Sequence, residues 1–406
     1  MTMAYAIKNG TLYTCDKSNT VIDHGTLLIK DGKIEAILTQ DKPIPEGYEV
    51  INAEGKTIIP GFVNSHTHEG IYDASFGDMG VDVNEMTNPS TPMVRAIDAI
   101  NTEGPNFVEG VKGGVTTINT GPGSANVIGG QFALLKTWAK SKAIEDYVIR
   151  APSAMKAALG ENPKRVYGAD KKTPGTRMGI ASVFRKAFVD AQAYEMKWKD
   201  YETKKKAAEE KGELDKIPAK PDRDLDKEVL LKVLNREIPI HIHCHMHSDI
   251  VTAIRLCEEF NLKLMIVHGT EGHKIADYLA KKHVPVSVGP SIVGFEKSEL
   301  KDITFETPAI LHKAGVKISI QSDTFPRLLY FQMLPCMAVK CGLPVEIALR
   351  AVTIDAAEMV GVGDRIGSLE QGKDADLVIW SDHPITNFYA NVEMTLVDGE
   401  IAYKKA

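Results

Sequence analysis

Hydrophobic and polar positions along the chain fall into one pattern at both ends and a different pattern in the middle. Residues 1–60 contain short apolar runs separated by the dipeptides Asn-Gly (9–10) and Asp-Gly (31–32), which predicts short β-strands joined by hairpin turns. Residues 363–406 repeat this pattern, with a further Asp-Gly turn at 398–399. We therefore expect a small β-sandwich built from both termini, with a larger domain inserted between its halves.

The middle of the chain, residues 61–362, alternates short apolar runs with segments of helical periodicity. The clearest runs are 115–119, 238–243, 264–268, 284–288 and 316–320. Repeated β-α units of this length predict an α/β fold, a (β/α)8 TIM-like barrel. A doubly wound sheet is the alternative, but no Gly-x-Gly-x-x-Gly follows an early strand. Polar residues also follow several different strands, which favours the barrel.

A charged segment, about 187–226, interrupts the β-α pattern. Lys, Glu, Asp and Ala dominate it, and it contains three aromatic residues, Tyr194, Trp198 and Tyr201. We interpret the segment as an inserted helical hairpin with a solvated outer face. Its aromatic side chains leave two uses open, an ordinary surface excursion or a lid or subunit contact.

Composition narrows the classes of partner. Among 406 residues, 48 basic minus 54 acidic side chains give a net charge of -6 without a basic stripe, so we expect no nucleic-acid partner. No apolar run approaches the roughly 20 residues of a membrane span, so we expect no membrane partner. The five cysteines are scattered, form no Cys-x-x-Cys pair and suit a reducing cytoplasm. We expect a cytoplasmic homo-oligomer that acts on a small molecule.

The first sign of chemistry is the stretch 60–68, Pro-Gly-Phe-Val-Asn-Ser-His-Thr-His. It follows an apolar run, and it places His66 and His68 at positions i and i+2. Side chains at this spacing share one face of a strand. Two imidazoles at the end of a buried strand can therefore bind one metal ion.

Further candidate ligands follow other predicted strands. Four histidines alternate within 240–247, His268 ends the run 264–268, and Asp323 follows the run 316–320. In a barrel these strand ends converge at one mouth. Nitrogen donors with one carboxylate suit Zn²⁺ best, or another borderline divalent ion.

This order of motifs resembles the amidohydrolase superfamily. The stretch 60–68 is similar to its Pro-Gly-Phe/Leu-Val/Ile-Asp-x-His-x-His motif, and 367–378 is similar to the entry into its C-terminal strands. In texture the chain looks most like the imidazolonepropionase-like members and related hydrolases of cyclic amides or dipeptides. The resemblance implies one or two divalent ions, with Zn²⁺ favoured and Fe or Mn as alternatives.

The resemblance also assigns roles. It implies that His66, His68 and Asp323 hold the more buried metal, and that His243 and His268 bind a second ion or share its roles. Asp323 would accept the proton of the attacking water, and His268 would help to polarise the carbonyl.

The motif does not decide which strand-five histidine is the ligand. We choose His243 because it ends the apolar part of the run, so that His245 lies beside the site as a substrate contact. His241 would point into the barrel below or be structural.

The family pattern includes a bridging residue, either a glutamate or a carbamylated lysine. We favour Glu161, in the polar turn after Gly160, over Lys156 on the preceding apolar run; a site without a bridge is the third possibility.

Two polar stretches are candidates for substrate binding. The glycine-rich segment 121–131 offers Asn126 and Gln131, although it also suits a tight structural loop. The other stretch offers Lys164, Arg165 and Tyr167, which suit an acidic substrate group or the fixing of the insert.

This site predicts hydrolysis of a C–N bond in an amide, a cyclic amide or a dipeptide-like substrate. A bound divalent ion lowers the pKa of water to about 7, which supplies the nucleophile. A deaminase or deacetylase of the same superfamily is the alternative. Superfamily deaminases usually carry a glutamate three residues after the strand-five histidine, where this chain has Met246 or Ser248. A scaffold protein without catalysis is a further alternative, which the full set of ligand types disfavours.

Overall fold

The computed structural model describes residues 4–39, 42–72, 77, 79–294 and 297–406. Within them the chain adopts a mixed α/β fold. The strands are β1 (Ala4–Tyr13), β2 (Val21–Lys30), β3 (Lys33–Leu38), β4 (Glu49–Asn52), β5 (Thr57–Pro60), β6 (Phe62–Thr67), β7 (Val115–Thr120), β8 (Ile128–Gln131), β9 (Ala133–Lys136), β10 (Val148–Arg150), β11 (Met155–Ala158), β12 (Ile240–Cys244), β13 (Leu264–His268), β14 (Val286–Val288), β15 (Ile318–Ile320), β16 (Leu377–Trp380), β17 (Val392–Val397) and β18 (Glu400–Lys404). The α-helices are α1 (Pro105–Lys112), α2 (Glu161–Ala169), α3 (Arg177–Glu210), α4 (Leu225–Leu234), α5 (His247–Glu259), α6 (Ala276–Lys281), α7 (Thr307–Lys313), α8 (Met333–Lys340), α9 (Val345–Ala351) and α10 (Ile354–Met359).

Strands from both ends of the chain form one sheet, in the order β18-β17-β16-β5-β1-β2-β3 with β4 beside β1. Antiparallel pairs flank the Asp-Gly dipeptides at 31–32 and 398–399, as the sequence predicts. The hairpin predicted at Asn9-Gly10 is wrong, because β1 runs through both residues. Asn9 takes a left-handed conformation (φ 69°) and the pairing with β2 shifts register there, so a bulge replaces the turn.

Two further sheets carry the middle of the chain. Their strand orders are β10-β9-β7-β6 and β15-β14-β13-β12-β11-β8. Strands β11 to β15 are mutually parallel, and β6 is parallel to β7. A parallel bridge between Thr67 and Asp323 brings the end of β6 next to the segment after β15. The carboxyl ends of β6, β12 and β13 therefore face the same region as Asp323.

The charged segment begins inside a longer helix. Helix α3 starts at Arg177, where the Thr176 side chain accepts the amide hydrogen of Gly179. Its first turns bury Ile180, Phe184 and Phe188, and only the later turns are largely charged. The helix therefore starts before the predicted insert (187–226). Its apolar face continues into the charged region, and the helix packs against α4. In the part of the chain described, no helix combines the length and apolarity that a membrane span needs.

A buried lysine joins the terminal sheet to the middle of the chain. Lys136, at the end of β9, is 2% exposed, and its Nζ lies 2.9 Å from Asp374, 2.5 Å from Asp376 and 3.0 Å from Asp398. All three acidic residues belong to the C-terminal segment. Since a buried charge needs a counter-charge, this cluster holds the C-terminal strands against β9.

Candidate metal centre

The two histidines of the His-x-His motif lie at the end of β6, every residue of which is buried. The Nδ1 of His68 is 2.6 Å from the carbonyl oxygen of Gly121. Because a carbonyl only accepts, Nδ1 carries the hydrogen and the lone pair of Nε2 faces the site. This use of the second nitrogen is typical of metal-ligating histidines.

Asp323 faces both imidazoles. Its Oδ1 lies 3.1 Å from His68 Nε2 and 3.4 Å from His66 Nε2. Asp323 has a left-handed backbone (φ 56°), an uncommon conformation for a residue other than glycine. Since His68 Nε2 and the carboxylate are both electron-pair donors, a cation between them would turn this contact into ligation.

The structure brings Lys156, rather than Glu161, to this group. Lys156 lies on β11, is fully buried, and places its Nζ 3.3 Å from His66 Nε2. Burial lowers its pKa to about 8. Glu161 instead begins α2, and its carboxylate accepts a hydrogen bond from the Ser298 hydroxyl at 3.2 Å.

A second group of donors consists of His243, His245 and His268, whose ligating atoms lie within 4.8 Å of one another. His268 also groups within the same limit with His66 and Asp323, so it stands between the two clusters. Its Nδ1 is 2.7 Å from the carbonyl oxygen of Gly289, which leaves Nε2 free to bind a metal. Its backbone is left-handed (φ 70°).

Burial makes these histidines neutral donors. Desolvation lowers the pKa of His66, His243 and His268 well below the usual value, and that of His245 to about 4. Neutral imidazole is the form that binds a metal.

The donor set fits a divalent cation. Within the described residues, both nitrogens of His243 and the Nδ1 of His66 are buried and lack a hydrogen-bond partner. Buried polar atoms are rarely left unpaired, so their concentration here favours an ion.

Two further buried residues, His241 and Glu299, lie near the histidine cluster. His241 lies one strand repeat before His243; both its nitrogens are buried without a partner, and burial lowers its pKa to about 3. Glu299, in a 3-10 turn (Ser298–Leu300), was missed by sequence reasoning because no motif surrounds it. Its Oε1 lies 3.7 Å from His245 Nε2.

The predicted substrate contacts are divided between internal bonds and the surface. Tyr167 donates its hydroxyl hydrogen to Asn126 at 2.7 Å, and Gln131 donates to the carbonyl of Pro92 at 3.1 Å. Lys164 and Arg165 are exposed on α2. The role of all five residues in substrate binding stays a prediction, as does that of His245, which the structure places within the second histidine group.

A largely apolar cavity of about 750 Å³ opens beside Asp323. Its walls include Ile292, Ile303, Phe305 and Phe325. Apart from Asp323, none of the described lining residues is charged.

The chain is similar to one family model and to several known proteins. The family model described as "Amidohydrolase family" matches residues 57–402. An amidohydrolase from Thermotoga maritima MSB8 is 38% identical, with a TM-score of 0.90 over 99% of this chain and 100% of that one. The amidohydrolase TasK of Hapsidospora irregularis is 28% identical over 90% of this chain, which spans only 38% of that relative. A 5-methylthioadenosine/S-adenosylhomocysteine deaminase from Bacillus thuringiensis (strain Al Hakam) is 24% identical, over 91% of this chain and 83% of the deaminase.

Proposed function

This chain belongs to the amidohydrolase family, and on that premise we propose that it is a metal-dependent hydrolase that cleaves a C–N bond in an amide, cyclic amide or dipeptide-like small molecule. One observation carries the proposal. Two clusters of neutral histidines, which share His268, converge with Asp323 beside a cavity large enough for a small substrate.

The ligand assignment follows the distances. His66, His68 and Asp323 would hold one ion, and His243 and His268 would hold a second, with Zn²⁺ favoured over Fe or Mn. When bound, such ions lower the pKa of a water molecule and polarise the substrate carbonyl.

Lys156 replaces Glu161 as our candidate for the bridging ligand, because its amine lies at His66 and its pKa of about 8 leaves part of it neutral. A neutral amine can add to CO₂ with loss of one proton, which gives a carbamate whose two oxygens suit a bridge.

Asp323 would transfer the proton. It lies at the mouth of the apolar cavity, where its side chain is 28% exposed and would reach a substrate. It would accept a proton from the attacking water and deliver it to the departing nitrogen. His268, between the two clusters, would face the carbonyl group.

The cavity beside Asp323 favours a substrate with an apolar group. Its isoleucine and phenylalanine walls offer no counter-charge to an acidic or basic substituent. Predicted polar contacts from Lys164 or Arg165 would then act on a different part of the substrate.

Deamination is the second candidate. Similarity to the Bacillus thuringiensis deaminase over most of this chain favours it. The residues Met246 and Ser248 disfavour it, because neither can handle a ring nitrogen as a glutamate does.

A parallel screen separates the candidates. Metal-loaded enzyme would be incubated with N-acyl amino acids, dipeptides and cyclic amides, and separately with adenosine-type nucleosides. We expect release of a new carboxylate and amine from the first group, without ammonia from the second. Ammonia release from nucleosides alone would overturn the hydrolase proposal in favour of deamination.

Expectations about the fold, the cellular location and the partners belong to the same proposal. We propose a closed (β/α)8 barrel at 61–362 and a β-sandwich from 1–60 and 363–406. The parallel order of β11 to β15 and the shared terminal sheet support them. We also propose a cytoplasmic homo-oligomer without nucleic-acid or membrane partners. An imidazolonepropionase-like specificity would be tested by including imidazolonepropionate among the cyclic amides.

A further inference from the structure

We propose that Glu299 is a metal ligand, which together with His245 contributes to the coordination of the cation at His243 and His268. This inference rests on the proposed function, since it requires that the histidine cluster binds a metal. It adds a carboxylate that neither the motifs nor the family resemblance assigns.

The first step is the position of the carboxylate. Glu299 is 3% exposed, and its Oε1 lies 3.9 Å from His243 Nε2 and 3.7 Å from His245 Nε2. Atoms that share a tetrahedral Zn²⁺ at about 2.1 Å are about 3.4 Å apart. The distances from Oε1 to the two imidazole nitrogens exceed this value by only a few tenths of an ångström.

The second step is the lack of any other partner for Oε1. Oε1 is buried and accepts no hydrogen bond within the described residues, and both nitrogens of His243 are equally unpartnered. In the same part of the chain, no lysine or arginine forms an ion pair with Glu299. An ionised carboxylate buried in this way is strongly destabilising unless a cation pairs with it.

The third step is the way the backbone aims the carboxylate. Its Oε2 accepts the amide hydrogen of Glu161 at 3.0 Å, which fixes one oxygen and turns the other towards the histidines. Gly160 has a left-handed backbone (φ 90°), and a Cβ there would lie 2.7 Å from Oε2. The absence of a side chain at Gly160 therefore makes room for the carboxylate.

A neighbouring anion strengthens the need for a cation. The position of a Cβ on Gly160 is 3.3 Å from Oδ2 of Asp249, so two carboxylates flank this glycine. The nearby Arg177 directs its Nε and one terminal nitrogen to Asp249, at 2.8 and 3.1 Å. Asp249 thus has a fixed cationic partner, whereas within the described residues Glu299 forms no ion pair with a lysine or arginine and its Oε1 faces His243 and His245.

The test measures metal binding directly. Metal-free wild type, Glu299→Gln and Asp302→Asn would be titrated with Co²⁺ and followed by visible absorption, and Zn²⁺ per chain would be determined by elemental analysis. Asp302 is the matched control, because it lies on the same segment but pairs with Lys274. We expect Glu299→Gln to weaken Co²⁺ binding at least tenfold and to change its spectrum, and Asp302→Asn to change neither.

Stability of the metal-free proteins provides a second readout. Removing an unpaired buried charge should raise the Tm of metal-free Glu299→Gln above that of metal-free wild type. If the glutamine variant fails to fold, Glu299→Asp keeps the charge but withdraws it by one methylene, and the same loss of Co²⁺ affinity is expected.

The outcomes separate this inference from the proposed function. Wild type that binds no Co²⁺ or Zn²⁺ would overturn both. Wild type that binds metal, with a Glu299→Gln variant of equal affinity and spectrum, would overturn the role of Glu299 alone.

Discussion

The substitution Lys156→Met tests quantitatively how much the buried lysine on β11 destabilises the folded protein. Burial lowers the pKa of Lys156 from 10.5 to about 8. Each tenfold change in an ionisation constant corresponds to 1.36 kcal/mol, so keeping the ammonium in the fold costs about 3 kcal/mol at pH 7. Methionine fills a similar volume without this charge. The metal-free variant should therefore be about 3 kcal/mol more stable than metal-free wild type at pH 7.

The reasoning also predicts the direction in which the stability of wild type changes with pH. Between pH 8 and 10.5 the unfolded lysine binds more protons than the folded one, so the stability of wild type rises with pH across this window. The advantage of Lys156→Met should shrink accordingly and be nearly lost by pH 10.5.

The assay is urea denaturation of metal-free protein at pH 7 and pH 10, in buffers free of CO₂. Lys140→Met is the matched control, because Lys140 is 69% exposed and pairs with Glu400 at the surface. It should change stability by less than about 1 kcal/mol at both pH values. The reasoning would be refuted by a Lys156→Met variant that is less stable than wild type. It would also be refuted by a variant whose gain in stability is the same at pH 7 and at pH 10.

Three further predictions concern the site and its support. Asp323→Asn should lower turnover by about 10²-fold or more while leaving the circular dichroism spectrum unchanged, and full turnover would exclude Asp323 as the proton carrier. Lys136→Met should lower the free energy of unfolding in urea by about 3–5 kcal/mol, because it strands the buried Asp376; a loss below about 1 kcal/mol would show that the cluster is not stabilising. Treatment with a chelator should lower the Tm of metal-loaded protein, since a ligand that binds only the folded state stabilises it; an unchanged Tm on verified metal loss would contradict a buried metal centre.

The sequence predicts the histidines of the site because strand periodicity and strand-end position are visible in it. His66, His68, His243, His268 and Asp323 are all gathered by the structure, as their places after apolar runs predict.

The bridging residue could not be chosen from sequence alone. The turn between β11 and α2 separates the two candidates, since it directs Glu161 towards Ser298 while Lys156 points inwards from the strand, which supports our proposal of Lys156. A lysine within an otherwise apolar buried run was the available signal. Glu299 had no such signal, because its proximity to the histidines depends on how a loop folds over the strand ends.

Local turn rules were reliable only where tertiary pairing agreed with them. Both Asp-Gly dipeptides form hairpins, whereas Asn9-Gly10 stays within a strand because β4 and β5 pair with β1 on either side of that point. The same limitation affected α3, whose start depends on apolar packing rather than on the onset of charged residues.

The position of β5 between β1 and β16 bears on the order in which the protein assembles during translation. Gly61, which joins β5 to β6, donates its amide hydrogen to the carbonyl of Asp376 at 3.0 Å. The strand that presents His66 and His68 therefore receives this anchor only after residues some three hundred positions later have left the ribosome. A nascent chain stalled before β16 would expose one edge of β5 and hold the first two candidate metal ligands on an unsecured strand.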